Sequence, residues 1–568
     1  MLLPSRALPN FRRRWLWMLL LTLGAAASTA AVAPSDSSRR IPATGNSHWV
    51  GEGRLGADRY YFELMLDTTG ATVSFPLVPA WNLRVANLQA ERSHLRFAVM
   101  LAGDSLEFDG AMRDGFADGV LGTRHRRGTF RAREVRRDTA AADALEGTYA
   151  GSDGIALTIG ATDQGSVFYF FEPGRRVGRL ERTDDTTWIG GPGLGQSFPV
   201  VVEAVFGHSR TGEPMLRWRE HGRMISLRRR ETSRRTATTF RSASATLRGE
   251  LLKPIGFRRY PAIVLLHGSG PESHRDFHWL RPYLAAHGFA VLSYDKRGVG
   301  GSTGDWRSAS FHDLAGDALA GVRLLRTDDE IDPAAIGVLG WSNGGWVAPL
   351  VARAPEVAFA AVGAAPGFAS GENIAFEVGE DLKEAGFSRE DMRQAVALRR
   401  QVSDFVTARS EVTAAAWDSL RAAVAAARTT RWFGLARVGW VLNLASPPDT
   451  MTTTLLAGLR SQWRLDPVPE WAEVRKPILI MLGGMDNAVP ARASAARLRE
   501  TFSAHGNRQA TVRFYETGSH ALFQVPSAKQ RDVLRATAYV RGFPSDLIRW
   551  LEHEAATGSR ASKDEPER

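Results

Sequence analysis

A chain of 568 residues with 44% hydrophobic and 23% charged side chains has room for about three or four domains, and its composition is that of a folded globular protein rather than a disordered or fibrous one. It has no cysteine, which excludes disulfides, thiol catalysis, cysteine-ligated metals and a lipid-modified N-terminal cysteine. The net charge of +11 is carried almost wholly by arginine, dispersed among acids as in ERSHLRF and REVRRD, and no basic helix accompanies it, so nucleic acid is not an expected partner.

Residues 1–33 read as an export signal. Arg12, Arg13 and Arg14 precede the apolar run Trp15 to Ala27, and the small residues of AASTAAVAP follow, with cleavage expected between Ala27 and Ala33. The mature protein is then periplasmic or secreted. An uncleaved leader would act as an anchor, the single route to a membrane partner, because the run is nearly long enough to span a bilayer.

Residues 45–137 and 145–232 read as two β-rich domains. In YFELMLDTTG, Phe62, Leu64 and Leu66 alternate with more polar positions before a turn, and in HLRFAVML, Leu95, Phe97, Val99 and Leu101 do the same, the pattern of half-buried antiparallel strands. The stretches HWVGEG to RGTFRAR and LEGTYAG to GRMISLRRR echo each other weakly across the seam RRDTAAADALEG. A scaffold or spacer is the plain reading, and the aromatic residues of HWVGEG, LEGTYAG and DTTWIGG are candidates for binding sugar or guiding substrate.

The pattern changes for residues 238–555. A strand pair in RSASATLRGELLKP leads into the continuous apolar runs PAIVLL, FAVLSY, IGVLGW, FAAVG and PILIMLGG, mostly separated by helical segments, which predicts a parallel sheet buried on both faces in a doubly wound α/β domain. Residues 370–466, rich in Ala, Glu and Arg at helical spacing, read as a helical cap inserted at the sheet's carboxyl edge. Residues 556–568 read as a disordered tail.

Four features follow apolar strands, where an open α/β sheet gathers its functional groups. They are His267-Gly268-Ser269-Gly270, Ser342 in GWSNGG, Asp486 in GGMDNAVP and His520 in TGSHALF. Read singly, Ser342 is a turn serine, His520 a surface histidine and Asp486 a turn-capping acid; their joint order selects another reading. The order Ser, Asp, His with HGSG upstream resembles the α/β-hydrolase fold, in which G-x-S-x-G forms the nucleophile elbow. YDKRGVGGSTGDW and WSNGGWVAP are similar to stretches of the bacterial EstD-like esterases and the serine-aminopeptidase-type hydrolases, over roughly residues 240–366 and 470–550. The resemblance does not extend to the cap.

The resemblance implies a catalytic triad of Ser342, Asp486 and His520, with an oxyanion hole from the backbone N–H groups of Ser269 and Asn343. An alcohol needs a base to attack at neutral pH, and an imidazole can take its proton and return it to the leaving group. The expected activity is hydrolysis of a small or medium acyl ester without metal or organic cofactor. A serine peptidase on the same sheet and an envelope- or glycan-binding protein with a vestigial hydrolase are the alternatives. Asp295 of YDKRG reads as a structural turn acid. Trp341, Trp346, Trp432, Phe433 and Trp440 are candidates for an acyl pocket, those in the cap being equally candidates for the cap's own core, and His274, Arg275 and Asp276 are candidates for the pocket's rim.

Overall fold

The computed structural model describes residues 47–561 apart from 68–69, 78–79, 92, 102–103, 152–153, 173, 244, 257–258, 409–412, 440 and 442–453. The expected leader, Trp440 and residues 562–568 of the expected tail lie outside the described residues. Among those described, one unit holds residues 47–230 with 530–537, and a second holds 231–529 with 538–561.

In the first unit, alternation along the strands builds two antiparallel bodies. Nine strands between Ser47 and Val135 form one sheet in which Ser47–Leu55 pairs with both Asp58–Asp67 and Arg127–Val135. Its buried face collects Trp49, Phe62, Phe75, Phe97, Phe108 and Phe130, with the Phe97 and Phe108 rings stacked at 4.4 Å. Eight strands from Gly147 to Arg230 then close into a barrel, sealed where Tyr149 pairs with Arg229. Trp188 and Trp218 fill its interior, each fully buried large apolar side chain contributing about 1.5–3 kcal/mol. The candidate sugar-binding aromatics are core residues instead: Trp49, Tyr149 and Trp188 are 5%, 2% and 2% exposed. Alternation told that one face was buried, not which.

A buried charge network joins the sheet, the connecting segment and the barrel. Glu63 accepts from Arg179 Nη2 at 2.6 Å and Tyr61 Oη at 3.0 Å, and Arg137 Nη2 lies 3.3 Å from Glu181 Oε1 and 3.3 Å from His48 Nε2. An arginine only donates, so His48 accepts through Nε2 and its imidazole is neutral. Burial, then the Arg137 charge, lowers the His48 pKa. Burial alone would raise Glu63, but the charges of Arg179 and then Arg137 override it and hold the carboxyl well below its ordinary range.

Both depressions act in one direction. The unfolded chain binds more protons than the folded one, so stability rises with pH through each gap between folded and unfolded values. Acidification is expected to destabilise this unit first below about 6.5, through His48, and again below about 4.5, through Glu63. His48→Gln, which keeps an acceptor for Arg137, should lose the first step and keep the second. Urea midpoints between pH 7.5 and 4 measure this, and a flat wild-type profile contradicts it.

The second unit is an eight-stranded sheet: β1 (Ser233–Ser242), β2 (Ala245–Pro254), β3 (Tyr260–Leu266), β4 (Ala290–Tyr294), β5 (Ile331–Trp341), β6 (Ala360–Gly363), β7 (Ile478–Gly483) and β8 (Ala510–Tyr515). Its spatial order is β1-β2-β4-β3-β5-β6-β7-β8. Strand β2 runs antiparallel to β1 and β4, and from β4 onward the neighbours are parallel. The apolar runs of β3, β4 and β7 are buried along their length because helices cover both faces. Helix α1 (Leu280–Ala286) follows β3, α2 (Phe311–Arg326) follows β4, and α3 (Gly344–Ala352) follows β5. Ser310 and Asp313 start α2 with a reciprocal capping box.

Between β6 and β7 the chain forms α4 (Ser370–Glu384), α5 (Arg389–Thr407), α6 (Ala414–Ala427), α7 (Thr454–Arg464) and the short α8 (Pro467–Ala472). These have a core of their own that includes Val378, Leu398, Val402, Trp417 and Trp463. Helix α9 (Ala491–Ala504) follows β7. The last helix, α10 (Ser545–Ala561), corrects the expected tail: Leu547, Ile548, Leu551 and Ala555 form its buried stripe, and the helix runs six residues into the segment expected to be disordered. The segment 530–537, expected within the catalytic domain, groups with the first unit, where the N–H groups of Val177, Leu194 and Gly195 donate to the carbonyls of Thr537, Ala536 and Leu534. Among the described residues no helix is long and apolar enough to cross a membrane.

Candidate active site

Strand β5 ends at Trp341 and α3 begins at Gly344, so the chain reverses within two residues. Ser342 takes φ +54°, a left-handed conformation uncommon outside glycine and associated with strained functional turns. A Cβ on Gly344 would lie 2.9 Å from the carbonyl oxygen of Leu266 and 3.3 Å from that of His267, so only glycine lets the first turn of α3 press against the end of β3. That contact sets Ser342 beside the HGSG loop.

Asp486 and His520 lie on the loops after β7 and β8, and those loops are stitched by Met485 N–H donating to Gly518 O at 2.8 Å. His520 Nδ1 is 2.9 and 2.8 Å from the two Asp486 oxygens. Asp486 Oδ1 also accepts from the N–H groups of Ala488 and Val489, which fixes a carboxylate whose side chain is fully buried. A carboxylate accepts only, so Nδ1 carries the imidazole proton and Nε2 is left with a lone pair. That Nε2 is buried and, among the described residues, makes no hydrogen bond to Ser342 Oγ or to any other atom. Trp341, the residue before the serine, donates through Nε1 to His520 O at 3.1 Å and packs its edge on Phe543, tying the elbow to the histidine loop.

Among the described residues no acceptor takes the backbone N–H of Asn343 or of Ser269. The arrangement therefore offers a hydroxyl on a strained turn, a tautomer-fixed imidazole with a free basic nitrogen, and two unused backbone donors on adjoining loops. Residues 263–532 match the alpha/beta hydrolase family. The second unit has the α/β-hydrolase fold. Solved structures similar to this chain include the α/β-hydrolase GrgF from Penicillium sp. sh18, at 16% identity over 57% of this chain and 99% of that one, TM-score 0.36. An esterase of Pyrococcus furiosus has 15% identity over 57% and 91%, TM-score 0.34. A putative dipeptidyl aminopeptidase IV from Bacteroides ovatus has 12% identity over 87% and 70%, TM-score 0.35.

The other residues singled out in this unit lie outside that arrangement. Trp346 is 4% exposed, stacks on Phe311 and donates to Phe368 O, so it belongs to the sheet's packing rather than to an acyl pocket. Trp432 lies in the cap's core, with Phe433 packed against it. Asp295 is a turn acid, accepting from His274 N–H, His274 Nδ1 and Gly301 N–H. Asp276 likewise caps Ser273 N–H. Burial, then the Lys296 charge, lowers His267 to about 3, so it stays neutral and donates Nε2–H to Tyr294 O at 2.5 Å. The Trp341 clamp was not legible in the sequence, since an indole beside G-x-S-x-G gives no sign of which carbonyl it reaches.

Proposed function

We propose that this protein is an exported serine hydrolase of carboxylic esters that works through an acyl-enzyme on Ser342. The reading rests on one observation: the free, buried Nε2 of His520, with its tautomer set by Asp486, on a loop tied to the strained turn that holds Ser342. In this reading His520 takes the Ser342 proton as Oγ bonds to the substrate carbonyl carbon. The carbonyl electrons become an oxyanion facing the N–H groups of Asn343 and Ser269. Collapse breaks the ester C–O bond, and the departing alkoxide takes the proton from His520. Water then repeats the cycle, giving up a proton to His520, releasing the acid and restoring the hydroxyl. Asp486 stabilises the imidazolium without itself taking the proton.

Esters are favoured over peptides because residues 47–230 form a sheet and a closed barrel rather than a propeller that would enclose a peptide. Export rests on the leader sequence at 1–33. A fluorophosphonate probe is expected to label the mature protein, and p-nitrophenyl acetate and butyrate to be cleaved faster than aminoacyl or X-Pro anilides. Faster anilide cleavage would replace the esterase by a peptidase. A folded protein inert to probe and esters alike would bring back the binding-protein reading.

A further inference from the structure

Lys296 and Glu272 are 2% and 8% exposed and lie outside the Ser342, Asp486 and His520 set. Their partners are main-chain groups of a single loop. Glu272 Oε2 accepts from Gly268 N–H at 2.6 Å. Lys296 Nζ donates to Gly268 O at 2.7 Å and to Gly270 O at 3.0 Å, and Lys296 N–H donates to Glu272 O at 3.0 Å. The bonds that Glu272 and Lys296 make to the N–H and carbonyl of Gly268 define the braced side of the segment His267–Gly270.

The other side follows from peptide geometry. In a trans peptide the carbonyl and the next residue's N–H point in opposite directions, and these peptides are trans. With Gly268 O drawn toward Lys296, the Ser269 N–H is turned away from it. With Gly268 N–H drawn toward Glu272, the His267 carbonyl is turned away too. That carbonyl is the one a Cβ on Gly344 would meet at 3.3 Å, which identifies the far side as the side of the elbow. The unused N–H of Ser269 is thus turned away from Lys296, and the His267 carbonyl beside the elbow is turned away from Glu272.

We propose that Lys296 and Glu272 form a brace that presets the oxyanion hole, holding the Gly268–Ser269 peptide so that the Ser269 N–H is aimed at the substrate oxygen before substrate arrives. This rests on the Ser342 hydrolase reading. Both are positioning residues, acting through the main chain. Besides Glu272, Lys296 faces Asp276, His267 and the Trp306 ring, whose centroid is 5.6 Å from Nζ. Burial pushes the lysine down and the glutamate up, each against the pull of the other's charge. Apolar residues of similar volume would often fill such a space at no loss of stability, so packing alone does not account for the charges.

The test is Lys296→Met, which keeps the stem and removes the donors. Expected is a fall in kcat of roughly 10- to 100-fold on p-nitrophenyl butyrate per site titrated with fluorophosphonate, with KM changed by less than about threefold. Affinity for butylboronic acid, whose tetrahedral adduct places an oxygen in the hole, should fall in parallel. Glu272→Gln, which still offers an oxygen to Gly268 N–H, should retain most of kcat, and Glu272→Leu should not. That pair carries the test if Lys296→Met does not fold. Wild-type kcat and boronate affinity in folded Lys296→Met would overturn the brace and leave the esterase standing. A wild-type protein inert to esters would instead overturn the underlying reading.

Discussion

Ser342→Ala is expected to lower kcat for p-nitrophenyl butyrate by about 10⁶-fold, and His520→Ala by a similar factor, because in the proposed mechanism nucleophile and base act as one unit and removing either disables both. Asp486→Asn is expected to cost about 10⁴-fold, since an amide can donate to Nδ1 and so stabilise the tautomer that leaves Nε2 protonated. The double variant Ser342→Ala/His520→Ala should be no slower than either single one. The measurement is kcat at one pH, with circular dichroism and urea midpoint matching wild type. Asp486 caps its own loop through Ala488 and Val489, so a loss of folded protein in Asp486→Asn would mark that structural role and not the catalytic one. Ester turnover at the wild-type rate in Ser342→Ala would remove the acyl-enzyme mechanism altogether.

The candidate residues were legible because each lies just past a strand signal, a continuous apolar run before Ser342 and Asp486 and the mixed stretch TVRFYE before His520. GVLGW, ILIMLG and TVRFYE end as strands at the same edge of a parallel sheet, so residues 342, 486 and 520 converge although 34 to 178 positions separate them. The strand pair before β3 was legible too, and helical spacing marked the insertion between β6 and β7. Closure of the barrel was not: it depends on Tyr149 meeting Arg229, a long-range pairing that no local pattern encodes. Nor was the brace, since Lys296 reads as one more residue of YDKRG and Glu272 as a loop acid. Their shared target appears only when β3 and β4 lie side by side in parallel, which brings the loops following them together. Trp346 shows the converse failure, and Trp432 shows why two readings stood open. An aromatic close to a catalytic motif, or inside a cap, has the same sequence signature whether it lines a pocket or fills a core.

Glu181→Gln is expected to have the largest effect on stability. Its side chain is fully buried, and it faces Arg179 Nε at 3.1 Å and Arg137 Nη2 at 3.3 Å. With His48 neutral, two guanidinium charges are balanced by the carboxylates of Glu63 and Glu181, so the substitution leaves one buried positive charge without a counterpart. Breaking a buried pair in this way costs about 3–5 kcal/mol, far more than the pair contributes against an apolar replacement. The urea transition of the sheet-and-barrel unit should move to lower concentration, seen as earlier proteolysis and earlier loss of Trp188 and Trp218 fluorescence. Arg179→Met/Glu181→Leu should be milder than Glu181→Gln, because it removes a charge of each sign and leaves Glu63 opposite Arg137 Nη2 at 3.7 Å. If the double variant were instead the less stable of the two, the network would be held by packing of the arginine stems and not by balance of charge. The outcome bears on why the two β bodies belong to one unit: the charges that must cancel are contributed from the strands at Asp58–Asp67 and Arg176–Arg182 and from the segment at Arg137 that connects them.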